Sequence, residues 1–110
     1  MHNQQAEVPE GSSAYLGVEF RDREGKLALP AAVEYEIRDL TTNQTILAAT
    51  PFTPVAPRIT IHLTPTDNAL QNAENRRERR AITVTADMGA GEQLRDEFRY
   101  AVLNLRSHPA

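Results

Sequence analysis

The sequence predicts an all-β sandwich, and three observations carry that expectation. Apolar residues recur with a period of two in several separate runs, as in strands that bury one face. Gly, Asn and Asp punctuate those runs at short intervals, as tight turns require. No stretch holds a convincing amphipathic-helix spacing. The 110 residues suffice for one domain, since a chain of this length buries roughly two-thirds of its unfolded surface. With no cysteine, neither disulfides nor a Cys-ligated zinc can hold the fold, and apolar burial must do so.

Residues 1–12 are polar, contain Pro9 and Gly11 and lack periodicity, so they are read as a flexible arm that orders on a partner. From Ser13, Ala14, Leu16, Val18 and Phe20 fall on one face and Tyr15, Gly17 and Glu19 on the other, the pattern of a half-buried strand. Asp22-Arg23-Glu24-Gly25 supplies a turn, Asp accepting local backbone bonds and Gly taking positive φ cheaply. In the next strand Val33, Tyr35 and Ile37 alternate with Glu34, Glu36 and Arg38, so one face is apolar and the other wet. After the polar turn Thr41-Thr42-Asn43-Gln44, residues 45–49 pair back as a hairpin. Pro51, Pro54 and Pro57 cannot donate to a ladder, which makes their segment a connector between sheets or an edge.

Residues 58–63 form a further strand, with Ile59, Ile61 and Leu63 inward and Thr60 and His62 outward. The long polar segment 64–80 reads as a loop with one helical turn capped by Thr66 or Asp67. Alternation returns over 81–87, where Ile82, Val84 and Ala86 point inward, and Gly89-Ala90-Gly91 makes a turn. Residues 94–105 are the last and longest strand. Phe98, Tyr100 and Val102 share a face, and the change to Leu103 and Leu105 predicts a β-bulge near Val102.

Six to seven antiparallel strands of this kind point to a sandwich or barrel of Greek-key type, and the expectation adopted is an immunoglobulin-like β-sandwich over residues 13–106, with a C-terminal tail at 107–110. The Cys and Trp markers of antibody domains are absent, which leaves Phe20, Tyr35, Phe52, Phe98 and Tyr100 as the large apolar anchors.

Each possible catalytic group fails on position or spacing. Ser12, Ser13 and Ser107 lie near the chain ends, and no G-x-S-x-G elbow occurs. His2 and His108 are terminal, and His62 has no partner at metal-ligand spacing. Asp96 and Glu97 are adjacent on a strand and point to opposite faces, which is wrong for a cooperating carboxylate pair. No helix follows Gly89-Ala90-Gly91, so it is not a phosphate loop. Asn43-Gln44-Thr45 matches a glycosylation sequon by letter alone. The sequence therefore predicts no enzyme, no cofactor and no metal.

The start, MHNQQAEVPEGSS, has neither the basic nor the apolar region of a secretory signal, and no apolar run approaches the roughly 18 residues of a membrane span, so a soluble protein is expected. Net charge is −3, and no broad basic face emerges, which argues against a nucleic-acid partner. Lys26 is the one lysine among twelve basic residues. That arginine preference suits interfaces, where the planar fork pairs carboxylates bidentately, although genome base composition gives the same bias.

Candidate partner-binding residues follow. Arg76, Arg77, Arg79 and Arg80 surround Glu78 and could fork onto an acidic partner, the plainer alternative being a solvated loop. Phe52 sits in a stretch whose P-x-x-P spacing imitates a polyproline ligand but which reads as a connector inside a compact β domain. Tyr15 is the obvious outward aromatic. The hairpin tips at 22–25, 41–44 and 88–92 are further recognition positions.

Three stretches, Phe20-Arg-Asp22-Arg-Glu-Gly25-Lys, Val33-Glu-Tyr35-Glu-Ile37-Arg-Asp39 and Asp96-Glu97-Phe98-Arg-Tyr100-Ala-Val102-Leu-Asn104-Leu105, together resemble small Ig-like virion structural proteins of tailed bacteriophages, over roughly residues 13–106. The resemblance implies capsid decoration, head-to-tail joining or a tail accessory role, in the virion after synthesis in the host cytoplasm. Its implied partners are virion proteins, namely major capsid, portal or tail components, bound by many copies in a symmetric assembly where avidity supports weak contacts. A second expectation is an Ig-like adhesion or carbohydrate-binding module, which needs a groove lined with exposed aromatics.

Overall fold

Two sheets pack face to face in the computed structural model, which describes residues 6–107. The strands are β1 (Ala6–Pro9), β2 (Ala14–Glu19), β3 (Ala32–Asp39), β4 (Gln44–Pro51), β5 (Arg58–Leu63), β6 (Arg77–Gly89) and β7 (Glu92–Leu103). The larger sheet runs β1-β7-β6-β3-β4 and the smaller one pairs β2 with β5. The all-β sandwich expected from the period-two runs is what forms. The core lies where the predicted faces meet: Val18 and Phe20 of β2 and Ile59, Ile61 and Leu63 of β5 against Val33, Ile37, Ile82, Val84, Tyr100 and Val102 of the larger sheet. Each such aliphatic side chain contributes roughly 1.5–3 kcal/mol when fully buried.

Four local expectations need correction. Of the arm expected over 1–12, residues 1–5 lie outside the described residues, but Ala6–Pro9 pairs in parallel with β7, Val8 opposite Val102 and buried with it. Glu10 N–H then donates to Leu103 O at 2.9 Å and Gly11 N–H to Asn68 O at 2.9 Å. Ala6 and Val8 in a polar stretch are too few for a periodicity, and their partner strand is at the other end of the chain. This pairing also departs from the all-antiparallel sandwich expected.

The bulge predicted near Val102 is absent. β7 stays in register with β6 through Leu103, and the register shift lies between Asp87 and Gly89, beside the hairpin turn. Ala101 faces outward between Glu7 of β1 and Arg79 of β6, and long neighbouring side chains bury this small residue without a slip. Leu105 leaves the strand in a 3-10 turn, Leu105–Ser107, and is exposed. β6 begins at Arg77, four residues before the expected strand. The helical turn in the long loop is capped by Thr64, two residues before the first expected cap. Asp67 N–H donates to Thr64 Oγ1 at 3.1 Å while Thr64 N–H donates to Asp67 Oδ2 at 3.0 Å, a reciprocal cap.

The turn between β6 and β7 forms as predicted, with positive φ at Gly89 (88°), Ala90 (54°) and Gly91 (79°). Ala90 alone carries a Cβ there, in the left-handed region that costs a non-glycine residue energy.

A candidate interaction surface

The arginine cluster divides once the strand is built. The alternation of β6 carries inward from Ala86, Val84 and Ile82 to Arg80 and Glu78, so both charged side chains enter the interior at one end of the sandwich. Arg80 is 0% exposed. Its Nε donates to Asp39 Oδ2 at 3.0 Å, Nη2 to Glu78 Oε1 at 2.8 Å and to Ala69 O at 2.8 Å, and Nη1 to Asp67 O at 2.6 Å. Glu78 also accepts from the N–H groups of Gln71 and Asn72, both at 2.9 Å, and from Asn75 Nδ2 at 3.0 Å. Asp39 accepts from Thr41 and Thr42 N–H at 2.8 and 3.1 Å. Asn68 takes the Tyr100 hydroxyl at 2.8 Å and donates to Ser12 O at 2.7 Å, while Asn104 donates to Ala73 O and Asn75 O. This network fastens the loop between β5 and β6 to the larger sheet, and among the described residues no buried side-chain nitrogen or oxygen lacks a partner.

The electrostatics follow from that geometry. Burial by itself would raise the Glu78 carboxyl, but the hydrogen bonds from Gln71, Arg80, Asn75 and Asn72 outweigh it and hold the group at about 2. Asp39 moves the other way. Burial raises it, its contact with Glu78 adds to the rise, and the Thr42 and Thr41 amides and Arg80 only partly oppose this. Burial also pushes the Tyr100 phenol up to about 12. Tyr100→Phe is expected to cost roughly 1–3 kcal/mol in urea unfolding, because it leaves Asn68 Oδ1 buried without its donor.

Arg80 is therefore withdrawn from the candidate partner contacts: it is internal. Phe52 is withdrawn as an open contact as well, since its ring is half-buried against the core, edge-on to Tyr35 at 6.4 Å and 64°, in a connector tied by Phe52 N–H to Val33 O. Arg76, Arg77 and Arg79 remain exposed, but they do not form one fork. Arg77 reaches Glu7 at 3.5 Å across β7, and Arg79 holds Thr41 Oγ1 through its backbone N–H. Tyr15 stays outward as expected, 69% exposed and stacked on His62 with centroids 4.8 Å apart and 13° between planes. Pairing of β2 with β5 also brings Ser13 Oγ within 3.1 Å of His62 Nε2, a juxtaposition that their distance in sequence concealed. No carboxylate is seen to orient that ring among the described residues, and the pair lies in solvent. His2 and His108 lie outside the described residues.

What sequence reasoning missed is a groove. The smaller sheet is two strands wide against five, and along β2 the inner face of β7 is left partly uncovered. An open groove of about 810 Å³ results, with Val18, Phe20, Ile59, Val84, Leu94 and Phe98 as its apolar lining and Arg58, Arg95 and Asp96 among its polar groups. Leu94 continues into a smaller hollow of about 370 Å³ shared with Leu29, Met88 and Arg23, where Arg23 is joined to Glu92 at 2.9 Å. Leu29 is 62% exposed and Leu94 40%. The alternation at Leu94 and Phe98 was legible, but whether another layer covers those residues depends on sheet width.

Among the described residues no group of three or more His, Cys, Asp or Glu side chains is arranged to hold a metal ion.

No family model matches the chain. No curated protein and no solved structure matches it significantly either. The surface sets apolar side chains beside paired charges.

Proposed function

We propose that this protein is a non-catalytic structural module that docks onto other proteins of a bacteriophage virion, as a capsid decoration or head-to-tail accessory component. The observation that carries the docking part is the apolar rim at one end of the sandwich, where Leu29 and Leu94 stand in solvent around two hollows that share Leu94. Large side chains exposed together at a concavity mark interaction sites on soluble domains. The buried network adds to this reading. It spends the strongest charges on holding a long loop rigid, which favours a surface that binds without reorganising.

Support for the Ig-like and virion parts is the resemblance of residues 20–26, 33–39 and 96–105, together with strand placement. β3, β6 and β7 share a sheet with β4 at its edge, and β2 with β5 form the other, the distribution of the C, F, G, C′ and B, E strands in variable-type immunoglobulin domains. A carbohydrate-binding role is the second reading, favoured by the exposed Tyr15 ring stacked on His62.

The test is sedimentation of purified protein with phage particles from its own host system. Co-sedimentation at saturable copy number is expected. Leu29→Asp is expected to reduce uptake roughly tenfold, since a few large apolar side chains carry most of an interface's binding energy. Its melting temperature should stay within about 2 °C of wild type, as expected for a change at an exposed position. Protein that never bands with particles, yet is retained on an oligosaccharide array in a Tyr15-dependent way, would replace this reading with the second.

A further inference from the structure

Among the described residues β2 pairs only with β5, which leaves its other edge unpaired. Phe20 N–H donates to Pro57 O at 2.8 Å, and the β2–β5 register continues without a shift from Glu19↔Arg58 to Ala14↔Leu63. Backbone groups alternate sides along an antiparallel strand, so Ala14, Leu16 and Val18 bond to β5, whereas Tyr15, Gly17 and Glu19 turn their N–H and C=O groups away from it. Two of the other edges are blunted: β1 is four residues long and ends at Pro9, and β4 ends at Pro51 with a shifting register to β3. β2 has neither proline nor lysine, and its middle residue is Gly17, where even an added Cβ would meet nothing within 4 Å.

The space beside that edge defines the occupant. Its floor is the inner face of β7, which extends past β2 with β1 beyond it. The edge of a second sandwich brought up to β2 would drive its own larger sheet into this overhang, whereas a single extended segment fits. Asp96 lies opposite Val84 in the β6–β7 register and so belongs to the inner, apolar face. Its carboxylate accepts only the Glu97 N–H at 2.8 Å, with no ion pair among the described residues, whereas Glu19, Glu92 and Glu97 each hold an arginine. Arg58 and Arg95 also line the groove, Arg58 being held by Glu19, and a carboxylate that has no ion pair beside the apolar Val18, Val84 and Phe98 selects a cationic side chain.

We propose that β2 takes up one extended tail or loop of a partner protein as an added strand, its alternate apolar side chains lying over Val18, Val84 and Phe98 and a lysine or arginine facing Asp96. Main-chain bonds to Tyr15, Gly17 and Glu19 supply affinity, and the groove supplies selectivity. The inference rests on the docking reading above and names the surface and the kind of segment that it uses.

The experiment titrates the full-length ¹⁵N-labelled protein with two capped peptides, Thr-Val-Thr-Lys-Thr-Val-Thr and the same sequence with Glu in place of Lys, followed by amide NMR. Saturable shifts are expected at Tyr15, Gly17, Glu19 and residues 94–98. The Lys peptide should bind roughly 5-fold more tightly, the scale of one partly exposed ion pair. Asp96→Lys should reverse that preference. Gly17→Pro should abolish the shifts at Tyr15 and Glu19, because it removes an N–H that faces away from β5 and leaves the β2–β5 ladder intact. Absence of a saturable shift at Gly17 with either peptide overturns the proposal, as does undiminished binding by Gly17→Pro. Particle sedimentation separates the two levels. Equal uptake of wild type and Gly17→Pro leaves docking standing and removes strand addition, whereas peptide binding without any particle uptake keeps strand addition and removes the virion reading.

Discussion

Arg80→Leu is expected to lower the free energy of unfolding by roughly 3–5 kcal/mol, the usual cost of removing one member of a buried ionic cluster. Leucine packs the aliphatic part of the space, but Asp39 and Glu78 then stay buried with no cation, and the carbonyls of Asp67 and Ala69 lose their donors. For a domain of this size each kcal/mol corresponds to roughly 4 °C, so the melting temperature should fall by more than about 10 °C. Arg80→Lys should recover only a small part, because an ammonium cannot present the planar fork that meets two carboxylates and two carbonyls at once. Loss of protection from amide exchange should appear first in the loop between β5 and β6, which the guanidinium anchors. A melting temperature unchanged in Arg80→Leu would show that the cluster carries no net stability.

Acid should act through Glu78. Its folded value of about 2 lies below the ordinary 4.5, so its contribution is fully present above about pH 4.5 and is lost as pH falls through about 2. The depression corresponds to about 3 kcal/mol. Asp39 has the opposite sign. Its carboxyl is raised above 3.8, so its contribution is present at low pH and is lost as pH rises through the raised value. The two partly offset each other in wild type. Urea unfolding at pH 7 and pH 3 should therefore show Glu78→Gln strongly destabilised at pH 7, with a flattened acid slope. Asp39→Asn should show a steeper acid slope than wild type, since the compensating group is gone. Parallel pH profiles for all three proteins would contradict the assignment of the acid response to this pair.

The site was less legible than the fold. Tyr15 was found because a strand alternation places it opposite the apolar face, a local fact. Arg80 reads as a surface partner contact although the same alternation runs back into it, since polar residues at inward positions read as a loop when their partners are unknown. Those partners are Asp39 on β3 and carbonyls of a loop with no periodicity of its own. Phe52 reads both as an apolar anchor and as a partner contact, because proline spacing says nothing about which ring lies beneath, here Tyr35. Ser13 and His62 were judged separately for the same reason, and only the β2–β5 register joins them.

By itself, then, the sequence determined where β2, β3, β5 and the later parts of β6 and β7 lie and which of their faces are apolar, because a period of two is a property of neighbouring residues. Tertiary structure alone decided that Val8 completes a parallel edge, that Arg80 and Glu78 lie inside, and that β2 keeps an open edge above β7. The reason is common to all three. The favourable terms, a buried ion pair, a cross-chain ladder or a covering layer, come from residues far apart in the chain, and no local pattern records whether the distant partner arrives.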